Sequence, residues 1–199
     1  AKLVLEPIFE ADFEECAYGY RPQRSAQDAV KEVHRKLCEG HTDVVDADLS
    51  KFFDTIAHSQ LLRSVARRIA DRHVLHLIKL WLKTPVEERD ENGNRRLTGG
   101  KKNSQGTPQG GVISPLLANL FLHYAFDLWM RRNWTHLPFE RYADDIIVHC
   151  RTEREANLVC VKIAARLKQC GLELHPEKTK IVYCKDANRQ GTHLNEKFD

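Results

Sequence analysis

The chain of 199 residues has no cysteine pair spaced C-x-x-C. Its six cysteines, Cys16, Cys38, Cys150, Cys160, Cys170 and Cys184, are scattered, most of them in apolar surroundings. That argues against a disulfide framework and reads as small buried hydrophobes in a reducing compartment. Ten histidines include no H-E-x-x-H, which argues against a zinc site. No apolar run nears the roughly 20 residues of a membrane span. Neither G-x-G-x-x-G nor G-x-x-x-x-G-K-[ST] occurs, so the usual dinucleotide and phosphate loops are missing. Repeats, low-complexity segments and any dividing linker are absent as well. The opening "AKLVLEPIFEADFEE" has too few apolar residues and too many acids for a signal peptide. It reads as an amphipathic helix entered partway, so the chain is expected to be a fragment.

What is present is globular composition, 42% hydrophobic and 30% charged, enough for one sizeable core with at most a small subdomain. A net charge of +3 says little, but its distribution says more. From Arg63 to Lys102, eleven Lys and Arg stand against five acids. Such a run is either a solvated helix face or a grip for polyanions.

The apolar pattern predicts helices over 3–16, from a Ser25 cap to Glu39, over 58–83 as one or two elements, over 116–132 and over 153–170. In the second part of 58–83, Val74, Leu77, Ile78, Leu80 and Trp81 are the expected core side. A strand is predicted over 42–50, and hairpins over 86–99, where Asn92-Gly93 suits a tight turn, and over 139–150. "LELHPEKTKIVYC" reads as a closing strand pair. In order, this is an α+β plait: an antiparallel sheet with helices packed on one face. Residues 1–41 form a preceding helical segment, and 42–199 hold the plait.

Alternation along "VVDADLSKFFD" puts Val45, Ala47 and Leu49 on one face, and Val44, Asp46 and Asp48 on the other. Acids on a buried strand need a partner or a metal. Asp48 stands at the strand's end, where a carboxylate can reach a cleft. In "RYADDIIVHC" a tight turn breaks the alternation, so Asp144 and Asp145 can lean toward one point. Like charges this close cost energy unless a cation lies between them. Three carboxylates from two strand ends suit hard divalent cations with oxygen ligands, Mg²⁺ above all. Two such ions about 3.5–4 Å apart clamp an in-line phosphoryl transfer. In "GTPQGGVISPLLANLFL" three glycines and a proline precede an apolar helix. They let backbone approach a ligand, and the Gln109 amide can hydrogen-bond a sugar, base or phosphate.

Together, "DLSKFFDTI", "GTPQGGVISPLLANLFLH", "RYADDIIVHC" and "GLELHPEKTKIV" resemble, in order and spacing, the palm motifs of reverse transcriptases. The likeness is to those encoded by group II introns, the maturases of bacteria and organelles. "LEPIFEADFEECAYGYRPQRSAQDAV" resembles the segment between fingers and palm. The resemblance runs from about Leu3 to Cys184. It implies a palm subdomain over 42–199, with 1–41 as the fingers–palm junction, and RNA-directed DNA synthesis as the activity.

It also implies roles. Asp48, Asp144 and Asp145 would be the catalytic, metal-holding aspartates, with Leu49 offering a backbone carbonyl and Mn²⁺ able to replace Mg²⁺. Asp46 is the rival to Asp48; the family pattern and the five-residue offset to Phe53 favour Asp48. Phe53 would be the gate against a ribose 2′-hydroxyl, beside Ser50, Lys51 and Phe52 in the nucleotide site. Gln109 would contact the incoming dNTP, and the small Ala143 would leave room for the primer end. Lys178 would lie near the triphosphate as general acid to pyrophosphate. Arg21, Arg24, Arg95, Arg96, Lys101, Lys102 and Tyr142 would touch the RNA template and DNA primer.

The resemblance also implies that fingers residues upstream, and the thumb, maturase and endonuclease regions downstream, lie outside these 199 residues, so the isolated piece is expected to extend primers poorly. Surfaces exposed in this way would allow a homodimer. The setting implied is a bacterial cytoplasm or an organelle. Two further readings stand beside this one. An RNA-binding splicing cofactor would have catalysis secondary or absent, which the intact aspartates disfavour. A plait-fold nucleotidyl cyclase gives no reason for the Gln109 loop or for Y-A-D-D.

Overall fold

A computed structural model describes residues 1–89, 95–100, 102–108, 110–185 and 193–198. Two compact units divide the chain: Ala1–Ala11 with Lys51–Phe121, and Asp12–Ser50 with Leu122–Asp199.

The second unit carries the sheet. Its strands are β1 (Asp43–Ala47), β4 (Phe139–Tyr142), β5 (Asp145–Cys150) and β6 (Lys180–Tyr183), in the order β4-β5-β1-β6. Every neighbouring pair is antiparallel. The plait expected from the sequence is therefore the observed fold class. Asp46 pairs with Ile147 and Val45 with Val148, so the predicted alternation holds. One face carries Val45, Ile146 and Val148, all fully buried. Against this side lie α8 (Glu153–Gln169) and a π-helical turn, His123–Asp127, that runs into α7 (Leu128–Asn133). Phe126 of that turn meets Phe139 edge-on at 5.3 Å. α8 buries Ala156, Val159, Ile163 and Leu167 at i, i+3 and i+4 spacing, and Thr152 caps it by accepting from the Glu155 amide. α2 (Ala26–Cys38) packs on β4 and β5, and Ser25 with Asp28 forms a capping box at its start.

The first unit holds α1 (Lys2–Glu10), α3 (Phe52–Thr55), α4 (His58–Val65), α5 (Arg72–Leu82) and the strands β2 (Val86–Arg89) and β3 (Arg95–Thr98). α6 (Ser114–Leu122) begins in this unit. Residues 58–83 are thus two helices, and Asp71 starts the second by accepting from the His73 and Val74 amides. The predicted Asn92-Gly93 turn lies outside the described residues.

Three expectations are corrected. The first helix stops at Glu10 instead of 16, because Cys16 and Tyr18 hydrogen-bond the main chain of Arg141 on β4 and cannot do so from a helix. In α5 the buried residues are Ile78 and Leu82, while Leu77 and Leu80 are 41% and 51% exposed. The closing strand pair reduces to β6 plus a single bridge, Leu174 to Leu49, because past His175 the chain turns through Pro176 and the Thr179 amide donates back to the His175 carbonyl. All six cysteines are free; Cys150 and Cys170 are buried, and Cys38 is exposed. Burial pushes the Cys150 thiol up to about 12, which makes it inert at neutral pH.

Candidate active site

The site forms at one end of the central strands. The β1–β5 register, carried one residue past Ala47 and Ile146, sets Asp48 opposite Asp145. Lys178 stands on the other side of Asp48, in the turn that leads into β6. The Lys178 ammonium lies 2.8 Å from the Asp48 carboxylate. The strand end is pinned by its backbone. The carbonyl of Asp48 accepts from His175, and the Ser50 amide donates to Glu173. A cavity of about 610 Å³ opens here, lined by Asp46, Asp48, Asp145 and Lys178, with Val30 and Val33 of α2 among its apolar walls. The rival Asp46 therefore shares the cavity with Asp48.

A two-residue turn, Ala143-Asp144, joins β4 to β5, so Asp144 lies in the turn and Asp145, paired with Tyr142, opens β5. Ala143 has φ +56 and Asp144 does not share the positive sign, the pattern of a II′ turn in which glycine is usual. The turn is held from two sides. Gly19 lies so close that a Cβ there would be 2.3 Å from the Ala143 nitrogen. Arg141, fully buried, donates to the Ala143 carbonyl at 2.8 Å and to both carboxylate oxygens of Asp127 at 2.8 and 2.6 Å. Neither Arg141 nor Asp127 was singled out from the sequence. The available signal was one acid, Asp127, inside the apolar run "LFLHYAFDLWM", and one arginine among the acids of "PFERYADDII".

The electrostatics are those of crowded acids. Burial, and then the charge of Asp48, raise the Asp144 carboxyl above the ordinary range. Asp145 is exposed by area, yet the protein beneath it removes part of its solvent. That burial, followed by Asp144, Asp48 and Asp46, pushes it up too. Lys178 is raised by its hydrogen bond and charge contact with Asp48. Among the described residues, no three His, Cys, Asp or Glu side chains form a ready-made metal cage. The donor set still suits a hard cation: oxygen ligands only, mutually repelling, with a mobile ammonium at the first of them.

The other predicted residues are distributed over both units. Phe52 is buried, and Phe53 meets it edge-on at 5.4 Å. In their own unit, the Phe53 and Ile56 carbonyls accept from the Thr107 and Gly106 amides, so the expected gate and the glycine-rich loop are knit together. Gly106, at φ +84, has the Asp54 carbonyl where a side chain would sit. Lys51 is exposed with φ +47. Gln109 and Lys101 lie outside the described residues, as does the Arg96 side chain. Arg21 is turned inward, donating to the Glu14 and Ala17 carbonyls at 2.6 Å over the Phe13 ring. Arg24 donates to the Glu15 carbonyl and lies over Tyr18. Arg95 pairs with Glu87, while Lys102 and Tyr142 are exposed.

Comparison with known proteins gives this geometry a family. Protein YkfC of Escherichia coli is 33% identical over 93% of the chain, and the group II intron-encoded protein LtrA of Lactococcus lactis is 37% identical over 91%. The chain spans 56% of the first and 27% of the second. Apo telomerase from Candida tropicalis, truncated from its C-terminal domain, superposes with a TM-score of 0.70 at 12% identity, covering 94% of this chain and 41% of that one, a likeness of fold. Residues 1–195 match the reverse transcriptase (RNA-dependent DNA polymerase) family, and with its group II intron relatives the chain belongs to that family.

Proposed function

We propose that the chain is the nucleotidyl-transfer core of an RNA-directed DNA polymerase of group II intron type, adding dNTPs to a primer 3′-hydroxyl on an RNA template. In this reading residues 42–199 are the palm and 1–41 its junction with the fingers. The observation that carries it is the gathering of Asp145, Asp48 and Lys178 around one cavity at the strand ends, with Lys178 on the Asp48 carboxylate and Asp144 on the adjoining turn. A cluster of acids at a strand end, served by one lysine, has no use in folding, because burial and mutual charge raise both aspartates of the turn.

Asp48, Asp144 and Asp145, with the Leu49 carbonyl, would hold divalent cations, Mg²⁺ or Mn²⁺. Such ions activate the attacking hydroxyl and neutralise the departing pyrophosphate. Lys178, released from Asp48, would give a proton to the pyrophosphate oxygen. Phe53 would stack beneath the deoxyribose and leave no room for a 2′-hydroxyl, with Gln109 contacting the same nucleotide. Lys102, Arg95 and the rest of the basic stretch would bind template–primer phosphates, a salt-dependent grip. No described helix is long and apolar enough to cross a membrane. A bacterial or organellar setting fits the relatives, and a second copy of the chain has no part in this reading.

The test is dNTP incorporation on an RNA template with Mg²⁺, using the natural protein with its flanking sequence. Asp144→Asn should abolish it. Incorporation at the wild-type rate would remove the metal assignment.

A further inference from the structure

We infer that Arg141 is a positioning residue of this site: clamped by Asp127, it holds the left-handed Ala143 turn in the one shape that presents Asp144 and Asp145. The inference rests on the metal-site reading, and the geometry behind it is independent of any ligand. Arg141 sits on β4, opposite Ile146 of the core face, with its side chain fully buried. Its hydrogen bonds to Asp127 and Ala143 point inward. Nε and Nη2 donate to the two oxygens of Asp127, itself 0% exposed, and Nη1 donates to the Ala143 carbonyl. Its own amide and carbonyl are bound to Cys16 and Tyr18, on the segment that brings Gly19 under the turn.

Chemistry explains why this pair occupies a core. A buried ion pair is often no more stabilising than apolar residues of the same volume, so its presence is weak evidence for stability. What it supplies is direction. A guanidinium is a rigid planar fork that can satisfy a carboxylate bidentately and still aim a third N–H elsewhere. Here the third N–H fixes the carbonyl of a non-glycine residue at φ +56, which has little intrinsic preference for that shape. Turning that carbonyl inward sets the next peptide plane, and so the outward aim of the two aspartates. The acid end of the clamp depends on the π-helical turn His123–Asp127. One extra residue in a helical turn rotates the rest of the helix by about 100°, enough to decide whether Asp127 meets the sheet.

The test uses the natural protein with Arg141→Lys and Asp127→Asn. Lysine keeps the charge and loses the fork. Asparagine keeps the shape and turns one acceptor into a donor facing the guanidinium. Three quantities are read well below the melting temperature: Mn²⁺ affinity by titration without nucleic acid, kcat and KM for a dNTP, and amide hydrogen exchange over 141–145. The expected result in both variants is Mn²⁺ affinity at least tenfold weaker, kcat at least tenfold lower, dNTP KM within twofold, and faster exchange confined to the turn. A folded Asp127→Asn protein with wild-type exchange over 141–145 and wild-type Mn²⁺ affinity would overturn the inference. Asp144→Asn is the control. If it binds Mn²⁺ as the wild type does, the metal-site reading fails, while the exchange data still decide whether Arg141 holds the turn.

Discussion

The ammonium of Lys178 lies 2.8 Å from the carboxylate of Asp48, at the end of the central strand and beside the cavity that Asp145 also lines. The contact raises the lysine's pKa, so it stays protonated through neutral pH. Any stability from the pair is fully present below the ordinary lysine range and is lost only as pH rises through the raised value. Because Lys178 is 62% exposed, the effect on melting is small. The chemical effect is not. Lys178→Ala is expected to slow single-turnover incorporation by about 100-fold and to remove the alkaline limb of its pH profile. An unchanged profile would leave the lysine as a surface contact only.

The raised carboxyls of Asp144 and Asp145 have the opposite consequence for an acid. Folding favours their neutral forms, so their contribution is present below the ordinary carboxylate range and is lost as pH rises through the raised values. At neutral pH, in chelator, the folded chain carries this repulsion as a cost. Asp145→Asn is expected to melt higher than wild type in EDTA, by about 1–2 °C at most, because Asp145 is exposed and solvent screens the repulsion. Added Mg²⁺ should then stabilise the wild type more than the variant. Equal melting temperatures in EDTA would mean the carboxylates do not repel.

Gly19 faces backbone atoms only, with Ala143 N at 2.3 Å and Ala143 Cα and Tyr142 C at 3.0 Å from an added Cβ. Backbone cannot swing aside as a long side chain can. Gly19→Ala is expected to destabilise by about 1–3 kcal/mol through overpacking, and to lower incorporation more than tenfold because the displaced atoms belong to the turn proposed to hold the metals. Urea denaturation and primer extension check this together; loss of neither refutes the close approach.

Phe53→Ala should relax sugar discrimination. Removing one ring is expected to narrow the preference for dNTPs over rNTPs by about 10–100-fold, in line with what one pocket contact is worth. Competition between the two nucleotide pools reads it directly. A variant that discriminates as before would move the gate elsewhere.

The core behind the sheet makes a plainer prediction. Phe126 is fully buried and edge-on to Phe139. Phe126→Ala should cost about 3–5 kcal/mol by chemical denaturation, the range for a large aromatic removed from a packed core.

Much of this architecture is legible in local pattern. β1, the β4–β5 hairpin and α8 announce themselves by alternation, a tight turn, and apolar spacing with a cap. Each of those signals spans fewer than twenty residues and depends on neighbours along the chain. The misreadings come where a distant partner overrides the local pattern. The first helix is cut short by β4, whose main chain takes up Cys16 and Tyr18. The strand before Pro176 shrinks to one bridge because the chain turns at Pro176 and Thr179 donates back to His175. In α5, Ile78 packs as expected, but Leu77 and Leu80 of the same expected side are exposed and Leu82 is buried instead.

The same division runs through the site. Sequence alone named the candidates: the aspartates 48, 144 and 145 and the glycine-rich loop by residue pattern, and Lys178 and Phe53 by resemblance to the family's motifs. Tertiary structure decided what stands beside what. Only the register of β1 with β5 sets Asp48 opposite Asp145, and only the turn leading into β6 brings Lys178 to it. Only the packing of the π-helical turn on β4 joins Asp127 to Arg141, and only the parallel bridge at Ala17 brings Gly19 under Ala143. The reason is physical. Strand register and helix packing are settled by contacts between residues tens to more than a hundred positions apart, and buried partners of opposite charge carry no mark in the sequence that says which will meet.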